Sequence, residues 1–153
     1  MLQRQLSVGP PPTLVPSPVT AVARIERGYI EVEFEAHPQR VEQMRTLTSA
    51  QLHHCGHRNS DAIYLACVVV SELVTNAIKH AQATTVTFRL VCAESGEIRI
   101  EVDDHADGQP NVRPFDQDAE DGRGLMIVQA LSDAWGRDGS CTWCTIPAAG
   151  DAA

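Results

Sequence analysis

Three polar side chains, Glu72, Asn76 and Lys79, recur at helical spacing in the middle of the chain. Glu72 and Asn76 are four residues apart and Asn76 and Lys79 are three apart, so all three share one face of a helix. An asparagine offers an oxygen ligand to Mg²⁺, a lysine neutralises phosphate and a glutamate can take a proton. Burying such a stripe is costly unless a partner pairs with it, and a nucleotide phosphate with its metal would do so. The alternative is a surface stripe with a Glu–Lys contact.

A second polar segment, residues 102–110, follows a strand pattern and contains Asp104 and Gly108. A carboxylate at a strand end can accept a hydrogen bond from an exocyclic amine, which is how the N6 group of adenine would be recognised. Glycine has no Cβ and lets the backbone approach a ring closely. Asp and Gly are also ordinary turn residues, so an acidic turn is the alternative.

A third segment, residues 121–128, places Gly122, Arg123 and Gly124 directly before a predicted helix. Unpaired backbone N–H groups and the helix dipole make that end of a helix a site for anions. Arg123 would add a charged contact to a phosphate. A flexible loop that enters a helix is the alternative for this segment.

The polar stripe lies on a predicted helix that begins at Ser60 and Asp61, which form a good N-cap pair. Residues 62–70 are apolar almost all round, which predicts that the first half of this helix is buried. The stripe therefore extends from an element of the core.

Alternation of apolar and polar residues predicts the strands. Residues 29–36 alternate apolar residues with glutamate, which indicates a half-buried strand at a sheet edge. Pro38 predicts the start of a helix that runs to about Cys55, with Gly56 as its C′ residue. The other predicted elements are strands at 84–92 and 98–102 joined by a turn at 94–97, a loop at 103–121, a helix at 124–134, a turn at 135–139 and a strand at 141–146.

This order predicts an α+β fold, a two-layer sandwich with helices on one face of a mainly antiparallel mixed sheet. A length of 153 residues fits one domain. We expect a proline-rich flexible tail at residues 1–25, the folded domain at 26–147 and a C-terminal tail at 148–153.

The bulk composition restricts the partners. A net charge of −8 argues against direct nucleic-acid binding and against anionic membranes. The longest apolar run is nine residues, too short to cross a bilayer, and no secretion signal is visible, so we expect a cytoplasmic protein. The five scattered cysteines fit reduced core residues, because the CxxC pair Cys141 and Cys144 would point to opposite faces of a strand.

In their order along the chain, the three polar segments resemble the nucleotide-binding boxes of the GHKL ATPase superfamily. Residues 71–81 are similar to its N box, residues 102–110 to its first glycine box and residues 122–128 to its second. The strand within 139–146 is similar to its final box. The resemblance covers roughly residues 28–147, and in particular the sequence resembles bacterial anti-sigma-factor serine/threonine kinases and their actinobacterial ATP-binding relatives.

The resemblance implies the GHKL fold, with ATP and Mg²⁺ as cofactors, and assigns roles to residues. Glu72 would be the general base, Asn76 the Mg²⁺ ligand, and Asp104 the residue that reads adenine. The implied nucleotide-binding residues are Asn76, Lys79, His80, Asp104, Gly108, Gly122, Arg123, Gly124, Leu125 and Thr142. Residues 122–125 would form the phosphate end of a short ATP lid at 109–121.

Two positions depart from the family pattern. Ala106 stands where the family usually has a glycine, and Cys141 stands where it commonly has a threonine. At the second position, one adenine-side hydrogen bond would be missing or supplied by Thr142 or Thr145. Both departures concern nucleotide affinity rather than the fold.

The implied function is that of an anti-sigma-factor-type serine/threonine protein kinase that controls transcription. Glu72 would deprotonate a serine or threonine of an antagonist protein, and the chain would also bind a sigma factor. The alternative is a non-catalytic module in which ATP only orders the lid and a partner surface. The strand at 29–36 and the helix after Pro38 are the predicted surface for a sigma factor or a homodimer.

Overall fold

The computed structural model describes residues 23–80, 84–105 and 120–147, which form a sheet and a layer of helices. In chain order the described elements are β1 (Ala23–Glu26), β2 (Tyr29–Glu35), α1 (Gln39–His54), α2 (Ser60–His80), β3 (Thr85–Cys92), β4 (Ile98–Asp103), α3 (Glu120–Leu131), β5 (Ala134–Asp138) and β6 (Cys141–Ile146). The strand order is β1-β2-β3-β4-β6-β5, and each described pairing is antiparallel. The predicted α+β two-layer sandwich is confirmed.

The core lies between the sheet and the helices. Val32 pairs with Phe88 and Phe88 pairs with Val102, and all three side chains are buried on the same face of the sheet. Val70 and Val74 of α2 are fully buried against this face. Burying a side chain of this size contributes roughly 1.5–3 kcal/mol. The central strands and α2 therefore form the hydrophobic core.

Helix α2 begins at Ser60, as predicted, but its cap is the preceding residue. The Asn59 side-chain oxygen accepts hydrogen bonds from the N–H groups of Asp61 and Ala62 at 3.0 and 3.2 Å. A cap must lie outside the helical turn whose N–H groups it satisfies, which is why Ser60 and Asp61 do not serve. By length and hydropathy alone α2 could cross a membrane, yet here its apolar residues pack in the core.

Helix α1 confirms the predicted start and end. Pro38 precedes its first residue, and Cys55 is its C-cap. Gly56 has a φ of +95°, and its N–H donates to the carbonyl of His53 at 3.0 Å. A left-handed C′ residue satisfies a terminal carbonyl, and glycine adopts that conformation without strain.

The prediction that residues 29–36 form an edge strand is wrong. Strand β2 lies between β1 and β3, so both of its sides are paired. Strand β1 begins at Ala23, within the predicted tail, and its residues are all exposed. Its alternation of Ala and Ile with Arg and Glu is only four residues long, the shortest run that predicts a strand. The part of the predicted partner surface that relied on an unpaired side of this strand is therefore not supported.

The region after the long loop differs from its prediction in two ways. Helix α3 starts four residues before the predicted Gly124 and ends at Leu131 rather than at residue 134. The predicted turn at 135–139 contains β5, which pairs with β6. Gly136 permits this pairing, because a Cβ there would lie 2.9 Å from the ring of Trp143.

The sheet face turned away from the described helices carries a charge network centred on Arg89. Its Nε lies 2.7 Å from an oxygen of Glu31, and its Nη1 lies 3.6 Å from an oxygen of Glu101. The Tyr29 hydroxyl also donates to Glu31, and Arg99 donates to Glu101, each at 2.8 Å. The hydrogen bonds from Arg89 and then Tyr29 hold the pKa of Glu31 below its ordinary value.

Candidate nucleotide-binding site

A cavity of about 100 Å³ lies where the second half of α2 meets α3 and the ends of β4, β5 and β6. Its lining combines apolar and polar side chains: Leu73, Asn76, Ala77, His80, Val102, Asp104, Leu125, Trp135, Arg137 and Thr142. Five of these ten side chains are apolar and five are polar, so the cavity has both apolar walls and hydrogen-bonding groups, as a small-molecule site does. Five residues predicted to bind nucleotide line this cavity, namely Asn76, His80, Asp104, Leu125 and Thr142.

The polar stripe of α2 borders the cavity on one side. Leu73 and Ala77 are buried and form part of the cavity wall, while Asn76 lies between them in sequence and is half-buried. Glu72 is also half-buried but does not line the cavity. Lys79, in the last turn of α2, is exposed and lies outside the lining.

Gly124 brings the backbone of α3 against the polar stripe. A Cβ at this position would lie 2.7 Å from the Oε2 of Glu72 and 3.3 Å from the Nδ2 of Asn76. Real Cβ atoms are essentially never closer than 3.0 Å to another heavy atom, so a side chain here would displace Glu72. The glycine therefore has a packing role that its position in the sequence did not reveal.

The prediction that Gly122 and Gly124 precede a helix is wrong, because both lie inside α3. The first four N–H groups of a helix lack intrahelical partners, and in α3 these belong to residues 120–123. The N–H groups that could bind an anion at the start of this helix therefore begin at Glu120 and not at Gly124. The structure does not describe the side chain of Arg123. Ala106, Gly108 and lid residues 109–119 also lie outside the described residues.

Asp104 is the most buried carboxylate of the site, with a side chain only 5% exposed. Its N–H donates to the carbonyl of Ser140 at 3.1 Å, which ties the end of β4 to the turn before β6. Its Oδ2 accepts a hydrogen bond from the Nη2 of Arg137 at 3.1 Å. A buried carboxylate with such a partner is held in a defined position.

The neighbours of Asp104 hold it in place from the other side of the strand. The Asp103 carboxylate accepts hydrogen bonds from the Ser140 hydroxyl at 2.6 Å and from the His105 N–H at 2.9 Å. Burial opposes ionisation of Asp103, but these hydrogen bonds outweigh it and lower its pKa. His105 has a φ of +53° and its Nε2 lies 2.7 Å from the Thr87 hydroxyl. The strand end is thus stabilised around Asp104.

Two residues at the site, Trp135 and Arg137, were missed because they lie in the predicted turn. They are two residues apart in β5, so both point toward the cavity. Arg137 donates to the Gly139 carbonyl at 3.1 Å and lies 3.4 Å from the Thr142 hydroxyl. The two-residue spacing of a large apolar and a charged side chain was the available signal for a strand.

The structure separates Cys141 from Thr142. Thr142 pairs with buried Val102 and lines the cavity, whereas Cys141 pairs with Asp103. Residues opposite each other in a strand pair share a face, so Cys141 belongs to the face turned away from the cavity. Thr145 does not line the cavity. Thr142 is therefore the threonine positioned to replace the hydrogen bond that Cys141 cannot supply.

The side chains at the cavity offer Mg²⁺ few protein ligands. No group of three metal-binding side chains occurs among the residues that the structure describes. Mg²⁺ keeps several waters and is commonly held by one or two protein oxygens together with substrate phosphates. The Asn76 amide oxygen, half-buried beside Glu72, suits that requirement.

The family comparison agrees with this geometry. Residues 34–146 match the model of the histidine kinase-like ATPase domain. The chain therefore belongs to the histidine kinase-like ATPase family, which confirms the predicted GHKL relationship. It is an ATP-binding protein of that family, and the cavity beside Asn76 and Asp104 lies within the matched region. No curated protein matches the chain.

Proposed function

We propose that the chain is a cytoplasmic serine/threonine protein kinase of the anti-sigma-factor type. It binds Mg-ATP in the cavity, phosphorylates an antagonist protein and controls transcription by binding a sigma factor. The observation that carries the proposal is the meeting of three groups at one place. The carboxylate of Glu72 and the amide of Asn76 lie against the backbone of Gly124, beside the cavity that contains Asp104.

The two ends of the site have different tasks. Apolar residues such as Leu73 and Val102 provide walls for a flat ring, and Asp104 accepts a hydrogen bond from its amine. Asn76 would hold Mg²⁺, which neutralises charge on the transferring phosphoryl group when bound. Glu72 then takes the proton from the attacking serine or threonine hydroxyl. Binding and proton transfer are thus assigned to different residues.

A second candidate is a non-catalytic ATP-sensing module, and the position of Gly124 favours it. The backbone of α3 lies so close to Glu72 that a Cβ would be 2.7 Å from its carboxylate. To transfer its proton, a substrate hydroxyl oxygen must lie about 2.6–3.2 Å from an oxygen of Glu72. Because the backbone of α3 occupies this side of the carboxylate, α3 or Glu72 must move for transfer to occur. In the sensing alternative ATP changes this contact and thereby a partner surface, without transfer.

Phosphoryl transfer separates the two candidates. The protein is incubated with γ-labelled Mg-ATP and each candidate antagonist protein encoded near its gene, and phosphoserine or phosphothreonine is located by mass spectrometry. We expect transfer by wild type, none by Glu72→Gln, and normal transfer by Glu31→Gln, a matched change on the opposite face. ATP binding without transfer to any candidate would favour the sensing module.

A further inference from the structure

We propose that Arg137 is a second base-reading residue, which donates a hydrogen bond to a ring nitrogen of adenine beside the amine accepted by Asp104. This inference rests on the proposed ATP site and adds a residue to it. Arg137 lies on β5, in a segment that sequence patterns predicted to be a turn.

The pair that Arg137 forms with Asp104 is strongly asymmetric in exposure. The Asp104 side chain is 5% exposed, whereas that of Arg137 is 48% exposed. The carboxylate therefore lies inside the cavity wall and the guanidinium lies at its edge. The buried carboxylate needs a partner, which Arg137 supplies, and the exposed part of the guanidinium borders the cavity where a base would lie.

The guanidinium of Arg137 has N–H groups that could donate to a ligand. Of its five N–H groups, three have partners among the described residues: the Gly139 carbonyl, the Thr142 hydroxyl and the Asp104 carboxylate. The contact to Thr142 is 3.4 Å long and therefore weak. A small rotation of the side chain would turn an N–H toward a base in the cavity.

Asp104 does not have to give up Arg137 in order to accept an amine. A carboxylate has about four acceptor positions on its two oxygens, so the bond that Oδ2 accepts from Arg137 does not by itself exhaust them. An acceptor and a donor 3.1 Å apart thus line the same cavity. Adenine presents the complementary pattern, because its exocyclic amine has an accepting ring nitrogen on either side.

Thr142 supports this arrangement from the strand below. It lines the cavity and approaches Arg137 from β6, so the guanidinium lies at the edge of the base-binding wall. A merely structural arginine would also neutralise Asp104. The two roles differ in one respect, because only a base-reading arginine distinguishes adenine from an analogue that lacks the ring nitrogen.

The experiment uses calorimetric titration with Mg-ATP, Mg-1-deaza-ATP and Mg-7-deaza-ATP. The proteins are wild type, Arg137→Ala, Arg137→Met and the control Arg24→Ala, which removes an arginine from the other described edge of the sheet. We expect wild type and Arg24→Ala to bind ATP about tenfold or more tightly than one of the deaza analogues, as for loss of a charged hydrogen bond. Both Arg137 variants should bind ATP about tenfold more weakly than wild type does, and they should bind that analogue as tightly as they bind ATP.

The outcomes are distinguishable. Suppose that wild type binds ATP and that the folded Arg137 variants still bind the deaza analogue more weakly than ATP. Arg137 then does not read the base, and the proposed ATP site is unaffected. Equal binding of all three nucleotides by wild type leads to the same conclusion. If folded wild type binds none of them, the proposed ATP site itself is wrong and the role of Arg137 falls with it.

Discussion

Two arginine–carboxylate groups lie on opposite faces of one sheet, and they differ in what surrounds them. On the sheet face turned away from the described helices (the open face), Arg89 bridges Glu31 and Glu101, and all three side chains are 22–32% exposed. On the helix side, Arg137 is 48% exposed and its partner Asp104 is 5% exposed, next to a cavity. The three side chains of the first group are exposed to a similar, small extent, whereas in the second group one side chain is buried and the other is half-exposed.

We infer from this difference that the Arg89 group serves the fold and that the Asp104 group serves the proposed ligand site. The charges around Arg89 satisfy one another across three strands, which links β2, β3 and β4. The Asp104 carboxylate is instead held by backbone and neighbouring side chains at a place that a ligand can reach. Charge changes on the open face should therefore alter stability, and charge changes at the cavity should alter binding and catalysis.

The largest expected effect comes from Glu72→Gln, which keeps the size and polarity of the side chain but cannot take a proton. Loss of a general base typically lowers a rate by ~100- to 10,000-fold, while ATP affinity should be unchanged. Phosphoryl transfer to an identified antagonist is the measurement, with Glu101→Gln as the open-face control. Equal rates for Glu72→Gln and wild type would show that Glu72 is not the base.

The next effect concerns the metal. Asn76→Ala removes the one protein oxygen proposed for Mg²⁺, so ATP binding should lose its dependence on Mg²⁺. The melting temperature with ATP, recorded with and without Mg²⁺, reports this coupling because a ligand of the folded state raises it. If the variant shows the wild-type Mg²⁺-dependent shift, Asn76 does not hold the metal.

An intermediate effect is expected from Gly124→Ala. The added Cβ would meet the flexible end of Glu72, while alanine improves helix propensity by about 1 kcal/mol, so the fold should survive. The displaced carboxylate should lower phosphoryl transfer with little change in melting temperature. Gly139→Ala, at a turn with open space but a φ of +58°, is a contrasting control that should lower stability and leave transfer intact. The reverse pattern would show that the Gly124 contact has no role in catalysis.

The smallest effect concerns stability against pH on the open face. Hydrogen bonds from Arg89 and Tyr29 lower the pKa of Glu31 in the folded state, so this residue contributes stability above its unfolded pKa of ~4.3. That contribution is lost as the pH falls through the lower folded value. At pH 7, the free energy of unfolding of Glu31→Gln should therefore be lower than that of wild type by at most about 1 kcal/mol. Between pH 7 and pH 3, the free energy of unfolding should fall less in Glu31→Gln than in wild type. Urea unfolding between pH 7 and pH 3 measures both, and parallel curves would contradict the assignment.

Sequence patterns predicted the elements that bury a regular apolar face. Helices α1 and α2 and strands β3, β4 and β6 are in this group, because their periodicity is created by the core. Strand β1 buries no residue and is four residues long, and β5 contains Gly136, so their patterns are too short or too interrupted to separate them clearly from turns. The strand order depends on pairing between distant segments, which is why β2 was predicted to be an edge.

The same distinction applies to the site. Asn76 and Asp104, which line the cavity, could be singled out because they interrupt apolar elements at positions where a polar group needs a partner. Arg137 could not, since its place at the cavity depends on β5 lying beside β6 within reach of Asp104. The packing of Gly124 against α2 likewise depends on the tertiary contact between two helices.

The most direct test of the account is a calorimetric titration of Mg-ATP and Mg-GTP into wild type, Asp104→Asn and Glu31→Gln. We predict that wild type and Glu31→Gln bind ATP with the same Kd and prefer it to GTP. Asp104→Asn should bind ATP about tenfold or more weakly while remaining folded, because a charged hydrogen bond to the base is lost. Unchanged ATP binding by Asp104→Asn, or equal affinity of wild type for ATP and GTP, would contradict the assignment of this cavity as the adenine site.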